Sequence, residues 1–275
     1  MKLSYYPGCS LKGTAREYDW SIQWVAEKLG IELTELPQWN CCGASSAHMT
    51  NHELSHQLSS RNLALAEEGG RDVVVPCPAC FQRLRAAQLE RRGDVKDRGI
   101  EILGLTDLLG RAPFRDAIRE ALVQPLAGLR VACYYGCLSL RPPKVTGALE
   151  WEHPMGLDAL VEALGAEPVR WSHKTECCSG SLSVARPDIA RGLIGDILAA
   201  ARKGGAAALV TDCPMCQGNL ESRQVDPGSK LAKGDRMPVF YMTELVALAL
   251  GRPAKRKYWR KHLVNPRSVL SPVGL

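Results

Sequence analysis

Apolar and polar positions along this 275-residue chain alternate between short strand-like runs and longer helix-spaced ones, and the same order occurs twice. In the first half, Lys2 to Tyr6 and the alternating stretch Ile31 to Leu36 read as strands, with a helix from Ala15 to Leu29 between them. A helix from Asn51 to Glu68 follows, then the β-branched run Asp72 to Val75 and a helical pattern from Cys80 to Arg92. Ile100 to Leu103 and Thr106 to Leu109 close the unit as strand and short helix. The second half repeats the order. Arg130 to Tyr134 is a strand, Leu157 to Leu164 a helix and Glu167 to Trp171 a strand. Asp188 to Lys203 is a helix, Ala207 to Thr211 a strand, and Val239 to Tyr241 with Thr243 to Leu250 a closing strand and helix. Alternation of this kind predicts an α/β fold with mostly parallel sheets.

Pro113, Pro125 and Gly128 punctuate the join between the halves. The expected organisation is a unit over 1–112, a linker over 113–128 enclosing a helical run from Arg115 to Leu122, a second unit over 129–250, and a tail over 251–275. Three prolines, Pro253, Pro266 and Pro272, make that tail an extended segment with at most a short helix.

Composition narrows the class. With 45% hydrophobic and 23% charged residues the chain is globular. The start, Met1 to Pro7, lacks a signal peptide's apolar core, and runs such as Val239 to Leu250 are too short to span a bilayer. The expectation is a cytoplasmic protein with no transmembrane segment. The net charge of +6 is concentrated in the tail, where Arg252, Lys255, Arg256, Lys257, Arg260, Lys261 and Arg267 occur without an acid. No nucleic-acid-binding signature accompanies them, so a docking surface for an acidic partner is expected rather than nucleic acid. No Gly-x-Gly-x-x-Gly or P-loop string is present, and no flavin, nicotinamide or nucleotide site is expected in this chain.

The chemistry lies in the cysteines. The first half carries Pro7-Gly8-Cys9, Asn40-Cys41-Cys42-Gly43 and Pro76-Cys77-Pro78-Ala79-Cys80. The second carries Tyr135-Gly136-Cys137, Glu176-Cys177-Cys178-Ser179-Gly180 and Asp212-Cys213-Pro214-Met215-Cys216. From Cys42 to Cys77 is 35 residues, and from Cys178 to Cys213 is again 35. In a reducing compartment such sets are metal-binding or catalytic rather than disulfide-forming. Thiolates are soft ligands for iron–sulfur clusters, zinc or copper(I). The cysteines follow strands rather than lying inside elements, with each Cys-Pro-x-Cys at a helix start, where backbone amides stabilise anionic thiolate and sulfide. Five thiols per half is one more than a structural zinc or an ordinary cubane takes. Either the fifth is a free reactive partner, or the cluster is irregular.

These paired elements resemble the cysteine-rich CCG domain, found twice in the B subunit of heterodisulfide reductase and in its sulfur-oxidising branch. The resemblance covers essentially the whole chain. It implies two pseudo-symmetric Rossmann-like units. It also implies two noncubane [4Fe-4S] clusters, one on Cys9, Cys41, Cys42, Cys77 and Cys80, the other on Cys137, Cys177, Cys178, Cys213 and Cys216. The implied activity is reductive cleavage, or oxidative formation, of a disulfide or a lipoate-linked or sulfane sulfur. The implied partners are a cubane iron–sulfur subunit and a flavin-containing subunit of the same complex, with the basic tail as a docking element or a lid over the second cluster. Some relatives hold zinc or a simpler cluster in one half, and a pure electron-transfer or zinc-stabilised scaffolding subunit is the alternative.

Around this frame, His48, His153 and His173 are candidate proton donors to a leaving thiolate. His48, His52 and His56 share a four-residue spacing, but with a complete cysteine set nearby a separate metal site is not expected. Lys12, Arg16 and Lys174 lie near cluster cysteines in sequence, and Trp39 precedes Asn40-Cys41. Cys133 falls outside the duplication and reads as a small buried strand residue, the sharper alternative being an accessory thiol. Where Gly43 follows the first double cysteine, Ser179 follows the second, and Gly180 is expected to supply the close backbone approach one residue late.

Overall fold

Each half of the chain builds a four-stranded sheet, every pairing is parallel, and the two sheets have the same strand order. The computed structural model describes residues 1–44, 46–91 and 99–275. The first unit contains β1 (Lys2–Tyr5), α1 (Gly8–Lys12), α2 (Arg16–Lys28), β2 (Glu32–Glu35), α3 (Ser46–Thr50), α4 (His52–Gly69), β3 (Val73–Val75), α5 (Pro78–Arg91), β4 (Ile102–Gly104) and α6 (Leu105–Gly110). After α7 (Ala112–Glu120) the second contains β5 (Arg130–Cys133), α8 (Pro143–Thr146), α9 (Gly156–Ala163), β6 (Glu167–Pro168), α10 (Pro187–Lys203), β7 (Ala208–Thr211), α11 (Pro214–Val225), β8 (Val239–Tyr241) and α12 (Met242–Ala249). A short α13 (Arg267–Leu270) lies in the tail. The orders are β2-β1-β3-β4 and β6-β5-β7-β8.

Burial follows from the strand sequences. Parallel strands covered on both faces read as unbroken apolar runs, and Val73–Val75 and Val239–Tyr241 are buried at every position. The edge strand β2 is largely exposed and carries Glu32 and Glu35, charges that discourage pairing with another sheet. Its counterpart β6 ends at Pro168, three residues short of the predicted Trp171, and as an edge strand it accommodates a proline whose nitrogen faces away from β5. Only Val169 N–H, to the Val131 carbonyl at 2.9 Å, continues the pairing. Helix α4 begins where the Asn51 side chain accepts Leu54 N–H at 2.9 Å and stops at left-handed Gly70. The predicted end of the helix after Cys80, at Arg92, lies outside the described residues.

The units share a core. Helix α12 of the second unit packs on α2 of the first, while α6 of the first packs on α9 of the second. One hydrophobic cluster accordingly contains Leu3, Val25 and Leu108 together with Val131, Leu160 and Leu245. Near the centre, Tyr18 of α2 stacks on Tyr241 with ring centroids 4.1 Å apart, and the Ser21 and Thr243 hydroxyls meet at 2.7 Å. The Tyr18 hydroxyl donates to the Asp212 carbonyl at 2.9 Å and lies 3.5 Å from the Pro76 carbonyl. These are the residues preceding Cys213 and Cys77, so one side chain ties together the approaches to both Cys-Pro-x-Cys elements.

Two expectations need correction. Cys9, Cys80 and Cys216 lie inside the first turns of α1, α5 and α11 rather than outside every element. For Cys80 and Cys216 the reason is geometric: a residue three after Cys77 or Cys213 returns to the same side only if the chain has begun to coil. The tail, in turn, is not extended. Trp259, His262, Val264 and Leu270 are buried, Trp259 lies edge-on to Phe240, and short helical turns span the segment.

His262 fastens it. Nδ1 lies 3.0 Å from Glu221 of α11 and Nε2 lies 3.1 Å from Glu244 of α12. The other Glu221 oxygen accepts Leu263 N–H at 2.6 Å. Burial opposes a charge on His262, but the two carboxylates prevail and raise its pKa well above the ordinary value. Replacing His262 with Ala leaves two buried carboxylates unpaired and is expected to cost about 3–5 kcal/mol in denaturant unfolding. The folded pKa is the raised one, so the clasp contributes fully below about pH 6.5 and is lost as pH rises through the raised value. A stability profile of the native chain should decline over that window, and the decline should be absent in His262→Ala.

Candidate metal centres

Strand ends bring each set of five cysteines to one edge of its sheet, as expected of ligand sites beyond the carboxyl ends of parallel strands. Within each set the sulfurs meet in pairs. Cys42 and Cys80 lie 3.2 Å apart, Cys178 and Cys216 3.4 Å, and Cys137 and Cys177 3.7 Å. Cys42, Cys77, Cys80, Cys178, Cys213 and Cys216 are buried, whereas Cys9, Cys41 and Cys177 are exposed and Cys137 is half-buried. Each seat thus has a closed floor and an open rim.

A Tyr-x-Gly-Cys element builds each floor. The Tyr6 hydroxyl donates to the Asn40 carbonyl at 2.7 Å, and the Tyr134 hydroxyl to the Glu176 carbonyl at 2.6 Å. Each tyrosine therefore holds the peptide immediately before its double cysteine. A tryptophan backs each one: Trp39 is edge-on to Tyr6, and Trp171 lies tilted against Tyr134. Two residues on, Gly8 and Gly136 have φ of 67° and 66°. A Cβ there would stand 3.1 Å from Cys80 Sγ and 3.2 Å from Cys216 Sγ. Only glycine gives both the left-handed backbone and the room for the thiol.

Backbone amides face the sulfurs. Gly43 N–H reaches Cys41 Sγ at 3.5 Å, Ser179 N–H reaches Cys177 Sγ at 3.3 Å, and Cys216 N–H reaches Cys213 Sγ at 3.4 Å. Hydrogen bonds from neighbouring thiols, chiefly Cys41 and then Cys80, lower the pKa of Cys42; the bond from Cys216 does the same for Cys178. Cys80 and Cys216, the donors to those sulfurs, are raised by the same contacts and by burial. One thiolate is thus favoured deep in each seat, with its partner holding the proton.

Ser179 takes the place of Gly43 itself, so Gly180 is not its late substitute. Both Gly43 and Ser179 have positive φ, 76° and 56°, and both donate their N–H to the first sulfur of the pair. Ser179 offsets its left-handed conformation with a 2.6 Å hydrogen bond from its hydroxyl to the Cys178 carbonyl. Gly43 has no such latitude, since a Cβ would meet the Ser55 backbone at 3.1 Å.

The other expected residues divide. His48 lines a cavity of about 570 Å³ between the seats, with Gln82 and Arg83 of the first unit and all five cysteines of the second. His153 is exposed and does not line it, and His173 is occupied with the Ser172 hydroxyl at 2.7 Å. Lys174 is paired with Asp158 at 3.0 Å, and Lys12 with Glu35 at 2.7 Å. Cys133 is fully buried in the core, and burial raises its pKa. No tail residue lines the cavity. Sequence reasoning missed Tyr18, Arg83 and Asp212. The Asp212 carboxyl, raised to about 6 by burial, accepts a 2.7 Å hydrogen bond from Thr106 of the other unit.

The donor set fits a polynuclear sulfide cluster. Two thiolates on one tetrahedral metal at about 2.3 Å stand about 3.8 Å apart, close to the Cys137–Cys177 separation. Among the described residues, no group of three or more His, Cys, Asp or Glu side chains has the geometry to hold a single metal ion.

Comparison with known proteins agrees with this arrangement. The family model described as the cysteine-rich domain, CCG, matches residues 3–85 and 131–221. The chain is 35% identical over 267 residues to the 8-methylmenaquinol:fumarate reductase membrane anchor subunit of Wolinella succinogenes, covering 92% of this chain and 94% of that one. It is 28% identical to the B subunit of the ferredoxin/F420H2-dependent CoB-CoM heterodisulfide reductase of Methanosarcina acetivorans, covering 91% and 89%. A crystal structure of a hypothetical protein from Helicobacter pylori superposes with a TM-score of 0.71 at 12% identity. It covers 96% of this chain, which spans about half (52%) of that structure. Among the described residues, no helix is long and apolar enough to cross a membrane.

The two positions after the double cysteines should respond oppositely. Gly43→Ser is expected to destabilise by about 2 kcal/mol or more and to lower metal loading. Ser179→Gly should stay within about 1 kcal/mol and load normally. Denaturant unfolding and metal analysis of both variants check this.

Proposed function

The chain belongs to the cysteine-rich CCG domain family, and from that premise we propose that it is the iron–sulfur subunit of a heterodisulfide reductase-type complex. In this reading each seat holds a noncubane [4Fe-4S] cluster on its five cysteines. The substrate, a disulfide or a lipoate-linked or sulfane sulfur, enters the space between the seats. The observation that carries the reading is the cavity of about 570 Å³, which opens onto all five thiols of the second seat and is walled by the first unit. Ala79 and Met215, the inner residues of the two Cys-Pro-x-Cys elements, both line it.

Reductive cleavage of a disulfide takes two electrons and two protons and yields two thiols. When bound, the clusters would supply the electrons one at a time. The residues of this chain do the rest. The amides of Gly43, Ser179 and Cys216 hold charge on sulfur, and Tyr6 and Tyr134 fix the loops. Met49, Leu138 and Met215 keep the cavity wall apolar, and His48 stands at the cavity as the candidate proton donor. Electrons would arrive from a cubane iron–sulfur subunit, itself served by a flavin-containing subunit. Five thiols per seat, one more than a structural zinc takes, support a polynuclear group over a single zinc in either half.

The Wolinella relative favours a second reading. Its name places a CCG chain in a quinol-linked fumarate reductase, where the clusters would relay electrons without meeting a sulfur substrate.

Anaerobically reconstituted protein should contain about eight irons with matching sulfide per chain; a chain loaded mainly with zinc would refute the cluster assignment. Cys42→Ser and Cys178→Ser should each remove about half of the iron, from one seat only. Adding a disulfide should change the electron paramagnetic resonance spectra of the loaded chain. Spectra that ignore saturating disulfide in every redox state but respond to a quinol would establish the relay instead.

A further inference from the structure

The cations of the tail stand on a rigid base. His262 clasps α11 and α12 through Glu221 and Glu244, Trp259 packs edge-on against Phe240, and Leu270 is buried. Over that base lies a groove of about 800 Å³, with Lys257, Arg260 and Arg267 along its walls beside the buried Trp259 and His262. All three cations are exposed. The segment 251–275 contains no Asp or Glu. Among the described residues no Asp or Glu lines the groove, and no carboxylate pairs with any of the three. Like charges gathered in one groove repel one another, a cost that an anion from outside would offset.

The kind of anion follows from shape and from what the groove lacks. Attachment to a lipid surface needs apolar side chains beside the charge, and among the described tail residues Leu263 is the one large apolar side chain that is exposed. Single-stranded nucleic acid stacks on aromatic faces. Here Trp259 is buried, and the Arg252 guanidinium covers Tyr258, 3.8 Å from its ring centroid. A protein segment can enter a concave groove, and guanidinium holds a carboxylate through two parallel hydrogen bonds. Because the clasp already fixes the backbone under these cations, little ordering cost remains to be met on binding.

We propose that this groove docks an acidic segment of a partner protein, rich in Asp or Glu, with Arg260 and Arg267 holding its carboxylates and Lys257 steering its approach. The inference stands whether the seats cleave a sulfur substrate or relay electrons. Through the Glu221–His262 contact the partner would rest on α11, the helix that starts at the second Cys-Pro-x-Cys element. No tail residue lines the cavity between the seats, so the docking residues and the cavity residues are separate sets.

The test uses the full chain and measures binding of a hexaglutamate peptide by calorimetry. Hexaglutamine, phosphatidylglycerol vesicles and a short oligothymidylate are run beside it. Hexaglutamate should bind, hexaglutamine should not, and the affinity should fall as salt rises. Arg260→Gln combined with Arg267→Gln should weaken binding about tenfold or more. Lys144→Gln combined with Lys203→Gln removes the same charge from exposed sites elsewhere and should leave the affinity unchanged. In the unmodified chain, carbodiimide should couple the peptide to Lys257 in preference to Lys144, which keeps the proposal testable if the double arginine variant fails to fold. No binding of hexaglutamate, equal binding of hexaglutamine, or equal losses in the two double variants would overturn it. So would coupling spread evenly over the lysines. Vesicles or oligothymidylate that bind more tightly than hexaglutamate, and lose that binding with Arg260 and Arg267, would also overturn it by assigning the groove to lipid or nucleic acid.

Discussion

Thiols crowded into one seat repel one another as they ionise, and the structure is organised around that constraint. Sulfurs 3.2–3.7 Å apart cannot all carry charge unless donors surround them. Strand ends followed at once by turns or helices supply those donors, because the amides there have no partner within the element. The loops need anchoring as well, since a free double-cysteine loop would swing its sulfurs apart. Tyr6 and Tyr134 provide the anchor from the central strands, and Gly8 and Gly136 clear the space for Cys80 and Cys216.

The same need explains why the two units are not independent beads. A cavity lined by the second seat's thiols and walled by α5 of the first unit requires the Cys-Pro-x-Cys elements to be held at a constant separation. Tyr18 contacts the carbonyls ahead of both, and its ring is locked by stacking on Tyr241. Helices α2, α6, α9 and α12 bury the surrounding surface in a common core. The tail adds to that core through His262, Glu221 and Glu244 rather than reaching toward the thiols.

Duplication explains the framework, and its exceptions carry the individuality. Ser179 shows that a left-handed position tolerates a side chain when a hydroxyl can bond locally and no backbone stands in the way. Arg83 and Asn219 show the reverse, two residues in equivalent places with different surroundings: Asn219 bonds the Cys178 carbonyl, whereas Arg83 lines the cavity. Each exception is invisible to a motif because its meaning depends on what stands opposite.

The amino-acid sequence by itself determined the α/β alternation, most strand and helix positions and the ten paired cysteines, because hydrophobic period, Gly/Pro punctuation and thiol spacing act over a few residues. It carried β6 three residues too far, and read the tail as extended, since prolines are local signals while the Glu221–His262–Glu244 contact spans the second unit. Only the tertiary structure decided that Arg83 faces the thiols of the other half, that His48 stands at the cavity while His153 does not, and that Tyr18 joins the two seats. Those facts arise from packing one unit on the other, where the partners lie far apart along the chain and no local pattern records which side chains will meet.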